Sequence, residues 1–498
     1  MDKAEREKLL YRRQYLYGPK IDGFPTWKHV RMPNGYALVV HPELDVTEHK
    51  GKPCALVLLG YLLDPDGPEK SNADILADLA AGTPATDDIL RALDNYGGRY
   101  VLFIFNGADE IVVNDAGGLR SVYFYRAGEG GIWLAPQPGL IAPKFNLKYS
   151  AEAEAFLHSE TILKYQEPWW PGTSSPYTGI EHMLPNHALN LKTGEVKRFW
   201  PREHIVHYSP QKGAQESTRI LRGVMQAAYH RFKMAMALTG GYDSRIVFAA
   251  SKSFIKDLNA YTMIHTRLTE QSNDIQLARR LAEYAGIPYK TVDCKQPMTS
   301  DFEDLYTHNI DKAYQSYGTV VYGRFKNLEQ DRVVIKSVVN EICRCFYYRT
   351  GVYPFNITID YLCHVSKLGH DPLVQKYFTK WAEDACIVDE LGYKLMDFFY
   401  WENRNANWQA MSQLEFDLAH EEFTPFANRK MLSIVLGVNH KYRCMPKNTF
   451  QRMMVDASWP ELSQFPYNPG QKLIKKPWYE GPWMTAGRWI KYRLLKKR

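Results

Sequence analysis

The first two hundred residues carry short apolar runs separated by turn residues. "YALVV" (36–40), "CALVLLG" (54–60), "YVLFIF" (100–105), "IVVN" (111–114) and "SVYFY" (121–125) have the length and the β-branched and aromatic content of strands. Asn106-Gly107 and Gly117-Gly118 punctuate them, and the spacing of 100–105 and 111–114 predicts a hairpin. The clearest helix in this half is "NADILADLAAG", so the pattern predicts a β-rich sandwich. Beyond "KRFWPREHIVHYSPQKG" the period changes. Ile220, Leu221, Val224, Met225 and Ala228 recur at helical spacing within 216–232. "MAMAL" (234–238), a helix over 243–252, "AYTMI" (260–264), "NDIQLARRLAEYAG" and "PYKTVD" then alternate strand and helix. That alternation predicts parallel β-α-β units in a doubly wound sheet. From residue 300 onward the pattern is mostly helical. We therefore expect two units, 1–205 and 206–498.

Composition changes this picture little. A chain of 498 residues with 45% hydrophobic content is long enough for two cored domains. Its charged start, "MDKAEREKLLYRRQYLYG", lacks the apolar segment of a secretory signal. No apolar run approaches the roughly 20 residues that span a bilayer. Seven scattered cysteines without a C-x-x-C pair favour a reducing, cytoplasmic setting. Charge adds more. Nine lysines and arginines stand against one acid, Glu480, from Gln471 to Arg498, so the net +7 belongs to the tail.

The candidate chemistry begins at "MALTGGYDSR" (236–245). A strand ending at Leu238, then Thr239, Gly240 and Gly241, then a helix opening at Asp243, makes an anion site. Glycines permit positive φ and close approach of a ligand to backbone. Successive N–H groups form a concave nest, and the following helix adds its N-terminal dipole. The hydroxyls of Thr239 and Ser244 can donate to phosphate oxygens. Asp243 either caps the helix or holds magnesium on the phosphates. The plain alternative is a tight strand-to-helix turn with a capping aspartate.

The stretch is not the G-x-x-x-x-G-K-[ST] loop. It resembles S-G-G-x-D-S, the PP-loop of the ATP pyrophosphatases, with Thr239 in the serine position. Such enzymes split ATP between its α and β phosphates and hold pyrophosphate in the loop. Downstream, Ser272, Asn273, Asp274, Ala278, Ala282 and Gly286 resemble the second helix of the asparagine synthetase branch. There Ser272 is a good N-cap, and the alanines allow close packing on a sheet. The resemblance places the adenine against the backbone at Ala237 and Met263. "LDNYGGRYVLFIFNGADEIVVNDAGGLRSVYFY" and "GIEHMLPNHALNLKTGEVKRFWP" are similar to a class II glutamine amidotransferase domain. In the latter, Asn186 stands for a glycine and is expected to be left-handed.

This chain departs from the pattern at the glutaminase nucleophile. That chemistry needs an N-terminal cysteine. Here the chain begins Met1-Asp2-Lys3, and its first cysteine is Cys54, deep in a predicted strand. Glutamine hydrolysis is not expected; β-lactam synthetase and the lasso-peptide cyclases share the loss. The G-E-G-x-D-E segment of asparagine synthetases has its nearest match in "VVIKSVVNEICRCFYYR" (333–349). "VVIK" reads as the strand, Glu341 aligns with the final acid, and Ser337 and Asn340 replace two others. The resemblance gives Glu341 and Arg344 roles at the phosphates; the alternative makes Glu341 a helix-start carboxylate. Cys343 and Cys345 flank Arg344, a weak sign of redox or metal chemistry. Relatives place a lysine near the C-terminus against pyrophosphate. Lys472, Lys475 and Lys476 compete for that place with membership of a solvated basic tail, and Lys472 is preferred. The tail, "MTAGRWIKYRLLKKR", suits an anionic membrane surface, a polyanion, or a solvated helix without partner.

The expected function is an ATP- and Mg2+-dependent ligase that adenylates a small-molecule or peptide carboxylate and passes the acyl group to an amine donor. No obligate nucleic acid is expected. Catalysis would use Glu341, Arg344 and Lys472. ATP would lie on Ala237, Thr239, Gly240, Gly241, Asp243, Ser244 and Met263, and the metal on Asp243 and Glu341. A PP-loop enzyme modifying RNA and a non-catalytic nucleotide-binding scaffold are the alternatives.

Overall fold

Period-two alternation sorts the early side chains into layers. The computed structural model describes residues 2–82, 84–164, 169–265, 268–311 and 317–468. Two six-stranded antiparallel sheets form between residues 15 and 198. One runs Ile180–His182, Tyr123–Arg126, Ile132–Ala135, Tyr15–Gly18, Ala37–Val40, Lys28–Arg31 across its width. The other runs Val196–Arg198, His187–Asn190, Asp109–Asn114, Gly97–Asn106, Cys54–Leu63, Val46–Lys50. Tyr15, Tyr17, Leu38 and Val40 meet Val57, Leu59, Val101 and Phe103 between the sheets. The alternate residues Leu56, Leu58, Leu102 and Ile104 lie under helices Asn72–Ala80 and Thr86–Leu93. The expected hairpin is present, Val101 pairing with Asn114 and Asn106 with Asp109.

A parallel sheet of five strands follows. Its spatial order is Tyr289–Asp293, Asn259–Ile264, Met234–Ala237, Val333–Ile335, Glu422–Phe423. In order along the chain this reads 3-2-1-4-5, with helices on both faces. Met234, Met236 and Ile335 face helices Pro210–Arg231 and Tyr242–Ala250, while Ala235, Tyr261 and Val334 face Ser300–Asn309 and Gly318–Asn327. After residue 300 the described regular elements are helices and helical turns, apart from strands Val333–Ile335 and Glu422–Phe423. Among the described residues the molecule is thus mixed α/β, with two antiparallel sheets and one parallel sheet, and mostly helical elements after residue 300. Among the described residues, no helix is long and apolar enough to cross a membrane.

Leu395–Phe398, Phe399–Gln409 and Ala410–Phe416 run on as one helix whose middle segment has π pitch. This segment is buried against the antiparallel part, and polar bonds carry the contact. Glu402 accepts from Asn186 (2.9 Å), from both Arg198 terminal nitrogens (2.6 and 2.8 Å) and from Trp381 (2.9 Å). Asn186 has φ +69°, the left-handed conformation expected of it. A second buried junction is the fork of Arg99 on Asp417, at 2.6 and 2.7 Å.

Candidate functional site

In an open α/β sheet, ligands settle beyond the carboxyl ends of the strands where the strand order reverses. Here that point lies between Met234–Ala237 and Val333–Ile335, neighbours that pair in parallel. The segments leaving these two strands carry the residues singled out in the sequence.

From the first strand the chain passes through Thr239 and two glycines into helix Tyr242–Ala250, whose N-cap is Gly241. Thr239 Oγ1 and Ser244 Oγ lie 3.0 Å apart, and Ser244 Oγ also accepts from the Thr239 N–H at 3.2 Å. The two hydroxyls therefore converge on one spot at the helix start. The glycines act differently from the expectation. Neither has positive φ, and Gly241 sits at φ −78°. Gly240 is small because a Cβ there would stand 2.8 Å from Asp274 Oδ1 and 3.1 Å from Leu277, on the next helix. At Gly241 the nearest atom to a Cβ would be Asn468 Oδ1 at 3.4 Å, so its missing side chain leaves a cradle at the loop. Asp243 is not the cap; it is the second residue of the helix. Its carboxylate instead reaches across the switch point.

From the other strand, Val339 turns the chain with φ +74°, and Asn340 and Glu341 lead into the 3₁₀ turn Ile342–Arg344. Asn340 Nδ2 donates to Asp243 Oδ1 at 2.5 Å, and Arg344 Nη2 meets Asp243 Oδ2 at 2.7 Å. Glu341 Oε1 is 3.8 Å from the same guanidinium nitrogen, while its Oε2 is buried without a hydrogen-bond partner among the described residues. Burial raises the Glu341 carboxyl above its ordinary range, the charge of Asp243 adds to that, and Arg344 offsets part of it. Burial opposes the charge on Arg344, but Asp243 and Glu341 together hold its pKa above the usual guanidinium value. The structure thus brings Asp243, Glu341 and Arg344 together. Glu341 makes no capping bond to the turn it opens, so its carboxylate does not serve the helix-start role.

Ala237 and Met263 stand at the ends of adjacent strands, half-buried. The Leu238 N–H donates to Tyr261 O at 2.9 Å, and Thr262 Oγ1 donates to Leu238 O at 2.6 Å, which fixes this ledge beside the loop. Ser272 occupies an N-cap backbone conformation, yet its hydroxyl accepts from the Thr269 N–H at 2.9 Å instead of capping the helix. Cys343 and Cys345 are buried, and burial raises both thiols. Lys472, Lys475, Lys476 and the rest of the basic tail lie outside the described residues.

Three features escape a reading of the sequence. Asn340, which stands where a relative has an acid, is a donor that orients Asp243. Tyr400, buried in the π segment, has its hydroxyl pKa raised by burial and then by the charge of Glu341, with Arg404 and Arg344 opposing. The segment 465–468 closes over the loop: the Asn468 N–H donates to Gly240 O at 3.1 Å, and Tyr467 stacks on Tyr242 at 4.4 Å. Arg245, fully buried, donates to Phe465 O and Pro466 O and lies 3.9 Å over the Tyr467 ring. An arginine directly after the D-S pair is the one sequence signal for that closure.

Residues 214–317 match the sequence model of the NAD synthase family, a PP-loop ATP pyrophosphatase family. The match spans the first three strands of the parallel sheet and the loop. It supports the PP-loop likeness and does not single out the asparagine synthetase branch. No curated protein matches the chain. Among solved structures, the chain is similar to the glutamine phosphoribosylpyrophosphate amidotransferase from B. subtilis complexed with ADP and GMP. The identity is 11% over 63% of this chain and 90% of that one, with a TM-score of 0.23. An NH3-dependent NAD synthetase from Campylobacter jejuni aligns at 12% identity over 39% of this chain and 92% of its own, with a TM-score of 0.21. NMN synthetase from Francisella tularensis aligns at 13% over 39% and 93%, with a TM-score of 0.19. Overlays this loose carry no argument; the placing of the site rests on strand order and side-chain geometry.

Proposed function

We propose that this chain is an ATP-dependent ligase that adenylates a carboxylate, releases pyrophosphate and passes the acyl group to an amine, without hydrolysing glutamine. The observation that carries the reading is the convergence of Asp243, Asn340, Glu341 and Arg344 on the loop Thr239–Gly241 at the switch point. The hydroxyls of Thr239 and Ser244 and the start of helix Tyr242–Ala250 would take the β and γ phosphates. The ledge at Ala237 and Met263 would take the adenine. Arg344 would neutralise the charge that builds on departing pyrophosphate, where a fixed cation is worth most.

The donor set fits a magnesium ion. The unpartnered, buried Oε2 of Glu341 and the carboxylate of Asp243 are the oxygen ligands such an ion takes, usually one or two per site with phosphate and water completing the shell. When bound, the metal would supply charge neutralisation of the phosphates. Asn340 favours a site of two carboxylates, because its amide directs Asp243 where a third acid would repel it. Lys472 remains the lysine we assign to pyrophosphate.

The absence of glutaminase chemistry is supported by Cys54. It opens a strand and pairs with Asn106, is buried, and burial raises its thiol. Holding acid, ATP and amine together would supply most of the rate, since orientation alone contributes up to about 7–11 kcal/mol in well-aligned systems.

ATP–pyrophosphate exchange with pools of carboxylates, comparing the wild type with Asp243→Ala, tests the proposal. Exchange that needs one acid and disappears in the variant is the expected result. ATP binding without exchange, with every carboxylate pool and with amines added, would refute adenylation and favour a nucleotide-binding scaffold.

A further inference from the structure

Val339 is a conformational outlier. A β-branched residue with φ +74° is strained, because its Cβ crowds the backbone. Glycine would hold the same turn freely. Such outliers persist only where surrounding structure over-determines them, and they gather at functional sites. Val339 is fully buried and directly precedes Asn340 and Glu341. The left-handed turn reverses the chain between strand Val333–Ile335 and the turn Ile342–Arg344, which brings Asn340 back onto Asp243.

One neighbour of the Val339 side chain comes from the antiparallel part. A Cβ on Gly117 would stand 2.8 and 3.0 Å from the Leu119 side chain and 3.3 Å from Val339 Cγ2, so the bare α-carbon leaves the room that both Leu119 and Val339 occupy. Gly117 is itself fixed from three sides. The buried Asp115 carboxylate accepts from the N–H groups of Gly117 (2.9 Å), Leu119 (3.0 Å) and Arg120 (2.8 Å). Asn405 Nδ2 donates to Gly117 O at 2.8 Å, and Trp401 Nε1 donates to Ala116 O at 2.7 Å. Both donors belong to the π segment.

We propose that Gly117 is a positioning residue: by seating Val339 in its left-handed conformation, it aims Asn340 and Glu341 at Asp243. This gives the antiparallel part a task in the synthetase centre that needs no nucleophile. The inference rests on the proposed reading of Asp243 and Glu341 as the magnesium ligands.

The test measures ATP binding by titration calorimetry in MgCl2 and in EDTA. The proteins are the wild type, Gly117→Ala, Val339→Gly and the double variant, each matched for far-UV circular dichroism. The new methyl of Gly117→Ala would press on Leu119 and on Val339, and the push on Val339 would turn the following residues away. We expect its ATP affinity in EDTA to stay within about twofold of wild type, while the gain on adding Mg2+ falls at least about fivefold, or about 1 kcal/mol. The double variant should recover most of that gain, because a glycine in the left-handed turn needs no seat. Should Gly117→Ala not fold, Val339→Ala removes the contact from the other side and is expected to show the same selective loss. A uniform loss with and without Mg2+, or failure of the double variant to recover, would overturn the proposal and leave a packing role only. A wild type whose ATP affinity ignores Mg2+ would overturn the metal reading itself and the inference with it.

Discussion

His182 offers a quantitative check on how the two parts of the molecule are joined. Its ring is buried and stacks on Tyr123 with centroids 4.4 Å apart. Nδ1 lies 3.0 Å from Asn407 Oδ1, and the Asn407 amide nitrogen donates to Gly172 O and Asn403 O. That orientation of Asn407 makes Nδ1 the donor, so Nε2 carries no proton. Nε2 is buried and lacks a partner among the described residues. A proton added there would be an unpaired buried charge. Desolvation accordingly lowers the pKa of His182 to about 4, against the opposing bond from Asn407.

The consequence has a definite sign. The unfolded chain binds the proton below about pH 6.5 and the folded chain only near pH 4, so stability falls as pH drops through that window. At 1.36 kcal/mol per unit, the loss from this one ring is about 1.4 kcal/mol at pH 5.5 and about 2.6 kcal/mol at pH 4.5. The comparison protein is His182→Phe, which keeps the stack but cannot titrate. Its lost bond to Asn407 costs about 1–2 kcal/mol at every pH. In urea unfolding followed by tryptophan fluorescence, the variant should be less stable at pH 7.5 and draw level or ahead by pH 4.5. The other buried histidines are common to both proteins and cancel in the difference. Stability curves that stay parallel from pH 7.5 to 4.5 would show that Nε2 finds water or a partner on protonation, and the reasoning would fail.

Other perturbations follow from the same contacts. Glu402→Leu leaves Arg198 short of the carboxylate that takes both its terminal nitrogens and strips the partners from Asn186 and Trp381. A loss of about 3–5 kcal/mol is expected by chemical denaturation, and a loss under about 1 kcal/mol would mean that the π segment repacks. Ser244→Ala removes one of two hydroxyls that converge at the helix start. ATP should bind about fivefold more weakly, as measured by calorimetry, with little change in melting temperature. Arg245→Met releases the carbonyls of Phe465 and Pro466. Limited proteolysis should then cut near 465–468, where the wild type resists, and ATP should protect the variant less.

Legibility in the sequence tracks the distance between partners. The hairpin at 100–114 and the strands and helices from 210 to 293 are readable, because their signals are local: alternation, turn pairs and helical spacing. The loop Thr239–Gly241 is readable for the same reason. Strand Glu422–Phe423 is not, since two residues carry no period and it pairs with Val334 and Ile335 far upstream. Asn340 looks like a missing acid until its amide is found against Asp243, 97 residues away. The conformation of Val339 is hidden because valine is poorly suited to it, and its support lies in another part of the chain. The glycine pair reads as a source of positive φ, whereas close packing on Asp274 and Leu277 is what requires Gly240.

The seam at His182 also sets a timetable for synthesis. Its partner Asn407 lies 225 residues further along, and Met411, which meets Tyr123, lies 288 residues beyond that tyrosine. At about 5–20 residues per second, the ribosome needs on the order of 10–50 s to deliver them. During that interval the nascent antiparallel sheets present Tyr123 and His182 to solvent on an unfinished surface. An uncovered sheet face of this kind is what holdase chaperones bind and what nascent chains aggregate through. The burden of keeping this chain soluble therefore falls on the time before residue 411 emerges.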